Sequence, residues 1–143
     1  MLAWAAEVHE VGLDISHSQY HKHSEYILRH ADLAGFSREE QQVLAALVLV
    51  HRRKFSRAVF KDLPEDWQSA TMRLAVLLRL AVTLHRGRSS ATLPTLQLQV
   101  DDASIALTFP SQWLDQHALV EADLEDEIRW LAAGGFSLQI IRG

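Results

Sequence analysis

A long apolar segment at about residues 67–86 constrains the fold more than any other part of this 143-residue chain. Only Arg73, Arg79 and Thr83 are polar in the thirteen residues that end at Leu84. A helix that is apolar on nearly every face must be covered by other elements on most of its sides. The segment therefore predicts the central helix of a helical bundle.

Three further segments have the apolar spacing of helices that could pack around this central one. They lie at about residues 2–11, 19–31 and 38–53. We predict Gly12 as the C-cap of the first helix. Ser37 and Glu40 have the spacing of a capping box and predict the start of the third. Residues 54–66 are expected to be a loop.

The pattern changes after the central helix. Apolar and polar residues alternate at about 96–100 and 105–109, on either side of a turn, and such alternation indicates two strands of a hairpin. A helix at about 121–133 and a third strand at about 136–140 follow. This second part is therefore predicted to have the order ββαβ.

We predict a mainly α protein with a helical domain at residues 1–90 and a small α+β domain at residues 91–143. The two parts differ in charge. The first carries 12 Lys and Arg against 10 Asp and Glu, whereas the second carries 2 against 8. All histidines except His117 also lie in the first part. A polyanion would therefore approach the helical part far more readily.

Several classes of protein are excluded by composition. The chain has no cysteine, which excludes a disulfide framework, a zinc finger and a thiol nucleophile. No apolar run approaches the roughly 18 residues of a membrane helix. Residues 1–7 have neither the basic start of a signal peptide nor an N-cap residue, so we expect them to continue a longer protein.

Three basic clusters in the helical part predict an anion-binding site. They comprise His21, Lys22 and His23, then Arg52, Arg53 and Lys54, and finally Arg86 and Arg88. Arginine binds phosphate through two parallel hydrogen bonds, lysine acts as a point charge, and histidine is a weaker donor. The competing interpretation is that these cations are solvated and complement the C-terminal ends of helices.

Several stretches resemble the C-terminal region of the exopolyphosphatase / guanosine pentaphosphate phosphohydrolase family. The resemblance is most specific at residues 4–12 with 15–18 and 20–24, and continues at 35–54, at 77–86 and in the tail at 96–98 and 123–127. It covers essentially the whole chain. It implies a helical domain similar to the HD phosphohydrolase superfamily, followed by a small α/β domain.

The resemblance also implies where the chemistry is performed. In that family, N-terminal actin-like domains carry the catalytic carboxylate and the Mg²⁺ site, so we expect no catalytic residue and no cofactor in this chain. It further implies a cytoplasmic protein and a homodimer. We expect inorganic polyphosphate or another phosphate polyanion as partner, and neither a membrane nor a nucleic acid.

The metal site of an HD enzyme is expected to be degenerate here. The motif pairs His with Asp, but His9 is followed by Glu10, and the later Asp position corresponds to Val82, which cannot bind a metal. His51 would be the remaining ligand. Because hard divalent cations need several oxygen ligands, we expect no metal at His9, Glu10 and His51.

Our main hypothesis is that this chain belongs to an exopolyphosphatase and that its eight clustered cations and histidines hold the polyphosphate chain. Three alternatives remain open. The parent protein could hydrolyse guanosine pentaphosphate, the domain could serve only dimerisation, or the chain could be a self-sufficient HD metal phosphohydrolase.

Overall fold

The computed structural model describes residues 1–86 and 92–143. Its contacts divide the chain into two compact units, Met1–Arg79 and Leu80–Gly143. The domain boundary predicted between residues 90 and 91 falls on residues outside the described part, so that boundary stays a prediction.

The first unit is helical, as predicted. It contains α1 (Leu2–Val8), α2 (Tyr20–His30), α3 (Arg38–Leu49) and most of α4 (Glu65–His85), with short 3-10 turns at Val11–Asp14 and Arg57–Phe60. All six residues from Val43 to Val48 on α3 are buried, which identifies α3 as a core helix. The predicted capping box is confirmed, since the Ser37 hydroxyl accepts from the Glu40 amide and the Glu40 carboxylate accepts from the Ser37 amide.

Helix α4 is the long apolar helix that the sequence predicts. Its buried side chains include Ala75, Val76, Leu78 and Leu80, together with the charged Arg79. Among the helices in residues 1–86 and 92–143, none combines the length and the hydropathy that crossing a membrane requires.

The second unit has the predicted ββαβ order. Its strands are β1 (Gln97–Asp101), β2 (Ser104–Phe109) and β3 (Ser137–Arg142), and α5 (Ala118–Ala133) precedes β3. In the sheet, β1 pairs antiparallel with β2, and β2 pairs parallel with β3. The register places Ile105 opposite Leu138, and both are buried. The mainly α fold with a small α/β part is therefore confirmed.

Two helices end earlier than predicted. α1 ends at Val8 rather than near residue 11, and α3 ends at Leu49 rather than near residue 53. Just beyond each end, a histidine ring hydrogen-bonds back to a helix carbonyl: His9 to Ala6, and His51 to Val48. These side-chain bonds satisfy carbonyls that would otherwise need a further helical turn.

The prediction that Gly12 caps α1 is wrong. Gly12 lies in the 3-10 turn Val11–Asp14, where a Cβ atom would lie 2.2 Å from the Tyr20 carbonyl oxygen and 2.4 Å from the Ser24 amide nitrogen. The Gly12 amide donates to the Ser24 hydroxyl, which in turn donates to the His9 carbonyl. Glycine is therefore required for close packing against α2.

Candidate anion-binding cleft

A cleft of about 490 Å³ lies in the first unit, between the start of α2 and the chain that leaves α3. It is lined by His21 and by four side chains that we call the cleft cations: Lys22, Arg52, Arg53 and Lys54. The last three belong to residues 50–55, which we call the basic loop. Five of the eight predicted site residues are thus brought together around one cleft.

Tyr20 connects α2 to the basic loop. The guanidinium carbon of Arg52 lies 4.5 Å from the centre of the Tyr20 ring, within the range of a cation–π interaction. The Tyr20 hydroxyl also lies 3.3 Å from Nε2 of His51. This role of Tyr20 was not among the predictions from the sequence. An aromatic residue directly before His21 and Lys22 was the available signal.

His51 is buried and engages both of its ring nitrogens. Nδ1 donates to the Val48 carbonyl, and this arrangement makes Nε2 the acceptor for the Tyr20 hydroxyl. Burial, with a smaller contribution from nearby His9, lowers the pKa of His51 from 6.5 to about 3. His51 is therefore neutral at pH 7, although it lies directly before the cationic Arg52. Its ring links the Val48 carbonyl on α3 to the Tyr20 hydroxyl on α2.

His21 is the buried member of the cleft lining, with 7% of its surface exposed. Within the part of the chain that the structure describes, its Nδ1 atom is buried and has no hydrogen-bond partner. Burial is the main cause that lowers the pKa of His21 from 6.5 to about 4, and the positive charges of Arg52, Lys22 and Arg53 lower it further. These three cations therefore lie close enough to His21 to disfavour its protonated form.

The residues of the expected degenerate metal site do not form a metal-binding set. The rings of His9 and His51 lie 4.9 Å apart, but Nδ1 of His9 bonds to the Ala6 carbonyl and both nitrogens of His51 are engaged. Across residues 1–86 and 92–143, no three His, Cys, Asp or Glu side chains are placed to hold an ion. The geometry does not fit a metal centre at His9, Glu10 and His51.

Two further predicted site residues, His23 and Arg86, are not among the described side chains that line the cleft. His23 lies half-buried on α2. Arg86 belongs to the second unit, where its guanidinium lies 3.3 Å from the carboxylate of Asp123. Arg88 lies outside the described residues. Their predicted role in binding stays a prediction.

The acidic second unit uses several carboxylates in ion pairs. Arg142 at the end of β3 pairs with Asp115 and with Glu121, which raises the pKa of Arg142 further above its ordinary value. Arg129 pairs with Asp126 one turn away on α5. The acidic start of α5 also suits the positive end of the helix dipole. The carboxylates of Asp115, Glu121 and Asp126 are therefore engaged in surface ion pairs within this unit.

Comparison with known proteins gives relatives over nearly the whole chain. Residues 1–128 match the family model of Ppx/GppA phosphatase, domain III. Three curated relatives each carry the name guanosine-5'-triphosphate,3'-diphosphate pyrophosphatase. They come from Pseudoalteromonas translucida (36% identity over 96% of this chain and 28% of the relative), Pseudoalteromonas atlantica (36%, 91% and 26%) and Aeromonas hydrophila (33%, 90% and 26%).

The chain therefore spans only about a quarter of the length of these relatives. The family model covers most of the chain, including all of the first unit and the residues of the cleft. The resemblance inferred from the sequence is thereby confirmed, and this chain belongs to the Ppx/GppA phosphatase family, whose domain III it matches.

Proposed function

We propose that the cleft binds the phosphate groups of guanosine-5'-triphosphate,3'-diphosphate, and that this chain is part of a hydrolase that acts on that nucleotide. The names of the relatives support this substrate over inorganic polyphosphate, which was our main hypothesis from the sequence. The observation that carries the proposal is the convergence of the four cleft cations and His21 on one cavity.

The chemistry of the lining suits a phosphate chain. The guanidinium groups of Arg52 and Arg53 can each make two parallel hydrogen bonds to phosphoryl oxygens, while Lys22 and Lys54 add mobile positive charges. The cavity volume of about 490 Å³ lies within the range of about 300–1,000 Å³ that is usual for ligand pockets. Because His21 and His51 are neutral at pH 7, the charge of the site comes from the cleft cations.

Binding in this domain would assist hydrolysis elsewhere in the protein. Phosphoryl transfer depends mainly on positioning and on neutralising charge. A ligand held by the cleft has a raised effective concentration at any active site that it can reach at the same time. The catalytic carboxylate and the Mg²⁺ site are proposed to lie outside this chain, as the family resemblance implies.

The first test measures binding of the nucleotide to the chain by isothermal titration calorimetry at low salt. The triple variant Arg52→Gln, Arg53→Gln, Lys54→Gln should lose at least about a hundredfold in affinity, since charged hydrogen bonds contribute about 1.5–3 kcal/mol each. The matched control removes three exposed cations outside the cleft, at Arg38, Lys61 and Arg73, and should bind within about threefold of wild type. Equal losses in both variants would mean that only net charge matters.

A second candidate ligand, inorganic polyphosphate, is favoured by one feature of the cleft. Among the ten described side chains that line it, His21 has the only aromatic ring, and because His21 is largely buried it offers little surface on which a guanine base would stack. Competition decides between the ligands. Displacement of bound polyphosphate by the nucleotide at equal phosphate concentration would favour the nucleotide, and failure to displace it would favour the polymer.

The homodimer is proposed on the family resemblance alone. Sedimentation equilibrium of the chain tests it directly. A dimer that binds neither ligand at low salt would support the alternative that this domain serves only dimerisation.

A further inference from the structure

Arg79 is a fully buried arginine on α4, with 0% of its surface exposed. Its two terminal nitrogens donate to the carbonyls of Val50 and Arg53, at the start and near the end of the basic loop. Its guanidinium carbon also lies 5.8 Å from the centre of the Phe55 ring. Arg79 thus contacts the basic loop at three points without lining the cleft.

The basic loop has features that call for such support. It leaves α3 at Leu49, and carbonyls at a helix end lack partners within the helix. Arg53 has a backbone φ of 59°, in the left-handed region that side chains other than glycine rarely adopt. A strained residue of this kind persists only where its surroundings fix it. The planar fork of an arginine can bind two carbonyls at once, which the single ammonium of lysine cannot do with the same geometry.

We propose that Arg79 is a positioning residue for the phosphate site: it holds both ends of the basic loop so that Arg52 and Arg53 face the cleft. This inference rests on the proposed function of the cleft. Arg79 does not touch the ligand and acts only through the loop. Its contacts with Val50, Arg53 and Phe55 all lie within the first unit.

A purely structural role for Arg79 would lower stability and leave the cleft unchanged, so the test needs a readout inside the cleft. His21 provides it, because the charges of Arg52 and Arg53 help to hold its pKa at about 4. If the basic loop moves away from His21, the repulsion from these charges weakens and the pKa of His21 rises towards its ordinary value. NMR titration of the His21 ring in the folded protein measures this directly.

The variant is Arg79→Lys, which keeps a nitrogen donor on a long side chain and removes the planar fork. We expect the pKa of His21 to rise by about half a unit or more. Affinity for guanosine-5'-triphosphate,3'-diphosphate should fall by about tenfold, the effect of misplacing one charged hydrogen bond. Arg73→Lys is the matched control on the exposed side of α4, and it should change neither quantity. An unchanged pKa of His21 together with unchanged affinity would overturn the proposal, whatever the loss of stability.

Two further measurements cover the cases in which Arg79→Lys does not fold or the wild-type chain does not bind the nucleotide. If Arg79→Lys does not fold, the guanidinium protons of Arg79 in the wild-type protein are followed by NMR while the nucleotide is added. A shift of these buried protons on binding is expected, and resonances that stay unchanged at saturation would refute the coupling. If the wild-type chain binds no phosphate ligand, the proposed function fails, whereas the pKa of His21 in Arg79→Lys still reports whether Arg79 positions the loop.

Discussion

Replacing Gly12 with alanine should be among the most destabilising single-methyl additions in this protein. The new Cβ atom would lie 2.2 Å from the Tyr20 carbonyl oxygen, 2.4 Å from the Ser24 amide nitrogen and 2.7 Å from the Ser24 hydroxyl. Two of these three atoms are backbone atoms of α2, so the helix itself would have to move. Adding a methyl group to a tightly packed site costs typically 1–3 kcal/mol, and sometimes more.

The same substitution is also expected to break or lengthen two hydrogen bonds. The Ser24 hydroxyl is buried, accepts from the Gly12 amide and donates to the His9 carbonyl. Each such bond contributes about 1 kcal/mol. We therefore expect Gly12→Ala to lower the free energy of unfolding by at least about 3 kcal/mol, a large fraction of the 5–15 kcal/mol that is usual for a domain.

Gly35→Ala is the matched control. Gly35 has a φ of 89°, but a Cβ atom there would have nothing within 4 Å, so only backbone strain of about 1–2 kcal/mol is expected. Urea unfolding followed by circular dichroism at 222 nm measures both variants. If Gly12→Ala lowers the free energy of unfolding no more than Gly35→Ala does, the 3-10 turn does not pack against α2 as closely as described. Because α2 also carries His21 and Lys22, Gly12→Ala should weaken nucleotide binding as well.

Three more predictions follow from the first unit. Ser37→Ala removes the capping box with Glu40 and should cost about 1 kcal/mol in urea unfolding, with no effect in the Ser37→Thr control. His21 and His51 have lowered pKa values in the folded protein, so the unfolded state binds more protons below about pH 6.5 and stability should fall as pH decreases from there towards 4 and 3. Unfolding at pH 5 and 7 checks this, and equal stability would contradict it. Arg53→Gly relieves the positive φ and should keep or raise thermal stability while it weakens binding, so a clear loss of stability would refute the strain at that position.

The helices and strands were predictable because each has a strong local signal. The apolar run of α4, the Ser37–Glu40 capping box and the alternating strands of the ββαβ unit do not depend on distant parts of the chain. The helix ends were less predictable. The first and third helices were predicted to continue to about residues 11 and 53, whereas they end at Val8 and Leu49, where the rings of His9 and His51 hydrogen-bond to helix carbonyls.

The cleft was only partly predictable, because it depends on contacts between distant parts of the chain. Residues 21–22 and 52–54 each form a cluster that is visible in the sequence, and their meeting across 30 residues depends on the packing of α2 against α3. Arg79 appeared in the sequence only as an interruption of an apolar helix. Its role requires knowing that the carbonyls of Val50 and Arg53 lie within reach of its guanidinium group. Long-range contacts of this kind leave no periodic pattern.

Salt-dependent binding of guanosine-5'-triphosphate,3'-diphosphate to this chain tests the central claim most directly. If each of the four cleft cations neutralises one phosphate charge, log affinity should fall against log salt with a slope of about −2.8, using the value of about −0.7 per charge known for single-stranded nucleic acids. The triple variant that lacks the charges of Arg52, Arg53 and Lys54 should retain a slope of about −0.7. Absence of binding at low salt, or a slope that is the same in the triple variant, would contradict the account of the cleft as a phosphate site.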